Sequence, residues 1–99
     1  MARAALRGHS GAHLVFRCPG CDTWHTVRVQ APHNWTWNGD LERPTLSPSV
    51  FVNAPGNPHR HPTEPSCHSF VTDGLIKFLG DCTHALAGQT VDLPEVGEP

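Results

Sequence analysis

The chain has 99 residues, 37% of them hydrophobic, with ten prolines, nine glycines and a formal charge of −2. A single domain of this size buries only about 60–70% of its unfolded surface, so a cross-link is expected to supplement a thin core. The acidic balance argues against a general nucleic-acid grip, and no apolar run approaches the roughly 18 residues of a membrane span.

Four cysteines and eight histidines are the material for that cross-link. The opening run Met1-Ala2-Arg3-Ala4-Ala5-Leu6-Arg7 lacks the apolar core of a secretory signal. The expected setting is therefore a reducing cytoplasm, where structural disulfides are rare and thiols are better used on metal. Residues 1–11, His9-Ser10-Gly11 included, read as a flexible arm. Next come strand-like runs at Ala12–Arg17 and Thr23–Val29, the second alternating Trp24, Thr26 and Arg28 against His25, Val27 and Val29. Between them Cys18-Pro19-Gly20-Cys21 forms a turn carrying two thiolates, which is half of a tetrahedral zinc site. A redox C-x-x-C would open a helix, and nothing helical follows Cys21.

Trp35 and Trp37 share parity ahead of an Asn38-Gly39 turn and are expected on one face, as core or as a lid. Pro44–Val52 reads as one edge strand, since Pro48 cannot donate to a central ladder; it carries Thr45, Ser47 and Ser49 as a row of hydroxyls. Residues 53–65 hold four prolines and form an irregular Pro/His loop in which His59 and His61 are solvated. Ser66–Thr72 and Leu75–Leu79 flank Asp73-Gly74, a strong hairpin signal. In that register Thr72 faces Leu75, Val71 faces Ile76 and Ser69 faces Phe78, with Cys67, Ser69, Val71, Ile76 and Phe78 on one face. Extending the strand sets Cys82 diagonal to Cys67, within reach of a shared ion. His84–Gln89 is a turn stopped by Gly88, Thr90–Leu93 a last short strand, and residues 94–99 an acidic tail. The core is expected from Phe16, Val27, Val29, Trp35, Trp37, Val50, Val52, Phe70, Ile76, Phe78, Leu86 and Leu93.

These readings give a small all-β fold over residues 12–93. It consists of zinc-stapled, zinc-ribbon-like antiparallel hairpins with long irregular loops and no long helix. Its cofactor is Zn2+ and its ligands are Cys18, Cys21, Cys67 and Cys82. The alternative ligand is His84, which with Cys67 and Cys82 would make a three-ligand site with an open position, as catalytic zinc has.

Four motifs, Trp35-Thr36-Trp37-Asn38-Gly39-Asp40, Pro44-Thr45-Leu46-Ser47-Pro48-Ser49, Cys67-His68-Ser69-Phe70 and Asp81-Cys82-Thr83-His84-Ala85-Leu86-Ala87-Gly88, occur in this order. Together they resemble, from about Phe16 to Leu93, a family of short proteins of tailed bacteriophages and prophages often labelled ammonia monooxygenases. A more distant branch is similar around the Cys-rich hairpin, the Ser-Pro-Ser strand and the Cys-x-Ser strand. That branch occurs beside bacterial ubiquitin-like conjugation genes and is suspected of a peptidase-like role. The resemblance implies a bacterial host cytoplasm, and it adds weight to functional roles for Ser47, Ser49, His68, Asp81 and His84.

Two functions compete. The first is a zinc-binding phage accessory module that recognises a host or phage protein, needing only the four thiolates and an exposed surface. The second is a small hydrolase acting on a peptide substrate, either zinc-dependent through His84, with Asp81 or His68 as base, or with Ser49 or Ser47 as nucleophile and His68 or His84 as base. His-Glu-x-x-His and Gly-x-Ser-x-Gly are absent. Nucleic-acid binding ranks third, because Arg17, Arg28 and Arg43 are too few. An active site is expected where His84, His68 or Asp81 meets Ser47 or Ser49. The two histidines should point to opposite faces, and His84 is favoured because it shares parity with Cys82.

Overall fold

Prolines, glycines and short alternating runs cut the chain into strands of two to six residues, and no helix forms among the described residues. A computed structural model describes residues 2–8, 11–31 and 35–96. Met1, His9 and Ser10 of the expected arm and residues 97–99 of the expected tail lie outside these. The strands are β1 (Ala5–Arg7), β2 (His13–Cys18), β3 (Thr23–Arg28), β4 (Thr36–Trp37), β5 (Leu46–Ser47), β6 (Val50–Val52), β7 (Cys67–Thr72), β8 (Leu75–Phe78) and β9 (Thr90–Asp92). They form three antiparallel sheets, β1-β2-β3, β4-β5 and β6-β7-β8-β9. No helix among the described residues is long and apolar enough to cross a membrane.

One core joins the sheets. Leu14, Phe16 and Val27 come from the first, Leu46 from the second, and Val50, Val71, Ile76 and Phe78 from the third. Alternation does the sorting, since successive strand residues face opposite sides. On β3, His25 and Val27 are buried while Trp24 and Thr26 are exposed, as the pattern requires. On β7 and β8 the expected register holds, with Ser69 opposite Phe78, Val71 opposite Ile76 and Thr72 opposite Leu75.

Several expectations are corrected. The segment read as a flexible arm contributes β1, an edge strand paired to β2, with Ala4 and Ala5 buried. At the other end Val96 is buried and donates its N–H to the Ala2 carbonyl at 2.8 Å, so the described part of the tail is packed. Pro44–Val52 is two strands in two sheets, because the chain leaves one ladder and enters another around Pro48. Phe70 is 44% exposed rather than core, since its parity is opposite to that of Val71. The 53–65 loop is irregular as expected, and Asn53 ties it down. Its Nδ2 donates to the carbonyls of His61 and Glu64, and its Oδ1 accepts the His61 N–H at 2.6 Å.

The β7-β8 turn has φ of 51° at Asp73 and 79° at Gly74, the paired positive values of a type I′ turn, which suits a right-twisted hairpin. A Cβ on Gly74 would lie 3.2 Å from the Arg43 Cα. Gly74→Ala is expected to lower unfolding stability by about 1–3 kcal/mol in urea melts. Gly39→Ala should cost less, because Gly39 shares the positive φ but its Cβ would meet nothing within 4 Å.

Candidate metal centre and active site

The β2-β3 turn and the end of the four-stranded sheet bring four donors together. Cys18, Cys21, Cys67 and His84 each offer one ligand atom, all within 4.8 Å of one another. Cys18 and Cys67 are fully buried, with their sulfurs 3.8 Å apart, and His84 Nε2 stands 3.4 Å from Cys67 Sγ. The Cys21 backbone N–H donates to Cys18 Sγ at 3.4 Å, which folds the turn around the first sulfur. Gly20 is required by this packing: a Cβ there would clash with the His84 imidazole, 2.5 Å from Nε2 and 2.7 Å from Nδ1. Phe78 meets the same ring edge to face at 4.5 Å, and the Leu86 N–H approaches Nδ1 at 3.2 Å.

The electrostatics favour a cation. Hydrogen bonds from the Cys21 and Cys67 thiols hold the Cys18 thiol far below the usual cysteine range. The same contacts work in reverse on the partners. Cys21 is pushed up to about 12 by its hydrogen bond to Cys18, and Cys67 is raised further, by Cys18 first and Cys21 second. One thiolate is stable in the cluster, and further ones need a positive ion among the sulfurs. Three thiols and an imidazole packed this closely fit a metal ion.

Cys82, expected as the fourth ligand, lies outside this cluster, and His84 takes its place. The reason is a turn at the end of β8. Leu79 N–H still donates to the His68 carbonyl, but Cys82 N–H then donates back to Leu79, and the ladder resumes with Thr83 N–H on Ser66. A straight extension would have set residue 81 opposite Ser66, so two residues have been inserted. The inserted turn aims Cys82 Sγ at the backbone of His68, 3.2 Å from both its N and its O. His59 and His61 are exposed and take no part in the cluster.

On the opposite face of the same strands a second constellation stands. Ser49 Oγ lies 2.9 Å from His68 Nε2, and His68 Nδ1 lies 3.1 Å from Asp81 Oδ2. A carboxylate only accepts, so Asp81 fixes the proton on Nδ1 and leaves the Nε2 lone pair facing the Ser49 hydroxyl. The imidazole is further held by Phe51, its cross-strand partner, whose ring stacks on it at 4.3 Å and 5°. Trp35 Nε1 donates to the Ser49 carbonyl at 3.3 Å. Asp81 is half exposed and the His68 side chain 22% exposed, so the site is open to solvent on one side.

Ser49, His68 and Asp81 are thus brought together, whereas Ser47 is exposed on β5 in the other sheet and His84 belongs to the metal cluster. The structure sets His68, rather than the favoured His84, beside Ser49 and Asp81, and the two histidines face opposite ways. Phe51 and Trp35 were missed as site residues. An apolar Phe51 alternating against buried Val50 and half-buried Val52 was the available signal.

The sequence model of the bacterial ubiquitination-like system serine protease family (BubE) matches residues 3–79. The chain belongs to this family. The match includes Ser49, His68, Cys18, Cys21 and Cys67, and ends before Asp81 and His84. Neither a curated protein nor a solved structure matches the chain.

The ligand assignment separates two cysteines. Cys67→Ser and His84→Ala are expected to lose bound metal and cooperative unfolding together, because metal ligation is coupled to folding in small domains. Cys82→Ser should retain metal at the wild-type ratio, as read by elemental analysis of the purified proteins.

Proposed function

We propose that this protein is a serine peptidase that cleaves a peptide or isopeptide-type acyl bond, with zinc as a structural brace. The observation that carries the reading is the unbroken relay from Ser49 Oγ through His68 to Asp81, in a chain of a serine protease family. Such a relay is recognised by geometry rather than by chain order.

In the reaction, Ser49 Oγ attacks the substrate carbonyl while His68 Nε2 takes the hydroxyl proton. Asp81 stabilises the resulting imidazolium. The C–N bond then breaks, and His68 hands the proton to the departing amine, leaving an acyl ester on Ser49. Water attacks that ester, gives one proton to His68, and the proton returns to Ser49 as the acid leaves. Phe51 keeps the imidazole in the plane that serves both transfers.

Zinc is the metal the donors suit best. With bonds of about 2.3 Å to sulfur and 2.0–2.1 Å to nitrogen, a regular tetrahedron has S···S edges of about 3.8 Å and S···N edges of about 3.6 Å. The sulfurs of Cys18 and Cys67 are 3.8 Å apart, and the Cys67–His84 contact is 3.4 Å. Four protein donors leave no position for water, so zinc supplies a cross-link and the water-activating form of the hydrolase is not favoured. The accessory-module reading, in a phage setting and through the Pro/His loop, has no comparable feature behind it. A serine, a histidine and a carboxylate aligned on one face are more than a binding surface requires.

A fluorophosphonate probe should modify Ser49 stoichiometrically, with the adduct mapped by mass spectrometry. Ser49→Ala should abolish labelling and hydrolysis. Ser47→Ala should leave both unchanged, and Asp81→Asn should lower kcat by about two to four orders of magnitude. Labelling of native protein at Ser47, or at no serine, would contradict the assignment.

A further inference from the structure

The outer face of the four-stranded sheet carries large apolar groups, Phe51 stacked on His68 and, farther along the sheet, Phe70 and Leu75. Phe51, Phe70 and Leu75 are 42%, 44% and 40% exposed. Their placement follows from register. Val50 is opposite Ser69 and Phe51 opposite His68, so the same register continued by one residue beyond β6 would set Ser49 abreast of Phe70. Opposite residues of an antiparallel pair have Cβ atoms about 4.5–5.5 Å apart. Phe70 is in turn opposite Lys77, and Lys77 opposite Thr90. A row therefore runs from the nucleophile across the sheet. Beside it lies a shallow groove of about 370 Å³ lined by Phe70, Thr72, Asp73, Leu75, Lys77 and Thr90.

We propose, resting on the serine peptidase reading, that this groove is the acyl-side subsite and that it takes a bulky apolar side chain of an extended peptide substrate. The side of the scissile bond follows from His68. The leaving amine must depart where Nε2 can protonate it, over the Phe51–His68 pair, so the acyl portion runs the other way, over Phe70 and Leu75. The apolar preference follows from the lining. Phe70 and Leu75 provide the walls, with Lys77 and Asp73, the latter paired to Arg43 at 3.8 Å, at the rim. Strand residues advance about 3.3 Å each, so the groove accepts the second or third residue before the scissile carbonyl.

The test uses p-nitrophenyl acetate and hexanoate, whose acyl chains stop short of the groove or enter it, and reads the hexanoate-to-acetate ratio of kcat/KM. The wild-type ratio should exceed that of Phe70→Ser by about tenfold or more. Leu75→Ser, a second probe of the same groove at a residue 40% exposed, should lower it in the same direction. Leu6→Ser removes an exposed apolar side chain from β1, in another sheet, and should leave the ratio unchanged. Equal ratios in wild type, Phe70→Ser and Leu75→Ser, with Ser49 still labelled by the fluorophosphonate, would overturn the subsite and leave the peptidase reading standing. Absence of both ester hydrolysis and labelling in the wild type would overturn that reading, and the subsite with it.

Discussion

The approach of His84 to Cys67, 3.4 Å across the end of the four-stranded sheet, is the contact on which the rest of the molecule depends. Cys67 opens β7, and His84 closes the turn that follows β8. Joined with Cys18 and Cys21 from the first sheet, they lock two sheets and one loop at a single point. A 99-residue chain with a thin core has few other ways to fix a loop that begins with Gly80.

That loop carries Asp81. Between Cys67 and His68 the strand changes face, so the residue that enters the metal cluster and the one that serves Ser49 are chain neighbours pointing in opposite directions. The same inversion occurs in the loop, where Asp81 reaches outward to His68 and His84 inward to Cys67. Cys82, between them, grips the His68 backbone through its sulfur. The cluster and the relay are thus two faces of one brace. A metal ion held by that cluster would fix Asp81 and His68 together, which a relay with a half-exposed carboxylate needs.

Much of this was legible in the residues. Asp73-Gly74 and the alternation of Val71, Ile76 and Phe78 specify the β7-β8 register, because a one-residue slip would expose every apolar group. Cys18-Pro19-Gly20-Cys21 specifies a two-thiolate turn. His84 was legible as an alternative ligand, but its replacement of Cys82 was not. The replacement comes from two residues inserted after Leu79, and a bulge leaves no mark on a pattern that has already ended. Phe70 shows the opposite failure, since its aromatic character suggested core while its parity pointed outward. β1 was hidden because Ala5-Leu6-Arg7 is too short to show alternation. The choice of Ser49 over Ser47 as the partner of His68 required knowing that the chain changes sheets around Pro48.

The central claim is that the His68 imidazole is held between Ser49 and an Asp81 carboxylate in the metal-loaded protein. It is tested most directly by the proton NMR spectrum of that protein, where a hydrogen bond from Nδ1 to a carboxylate moves its proton far downfield of ordinary amides. The account predicts one such resonance in the zinc-loaded wild type, assigned to His68 and absent from Asp81→Asn. A fully zinc-loaded, folded wild type without this resonance, or one in which it survives Asp81→Asn unchanged, would contradict it.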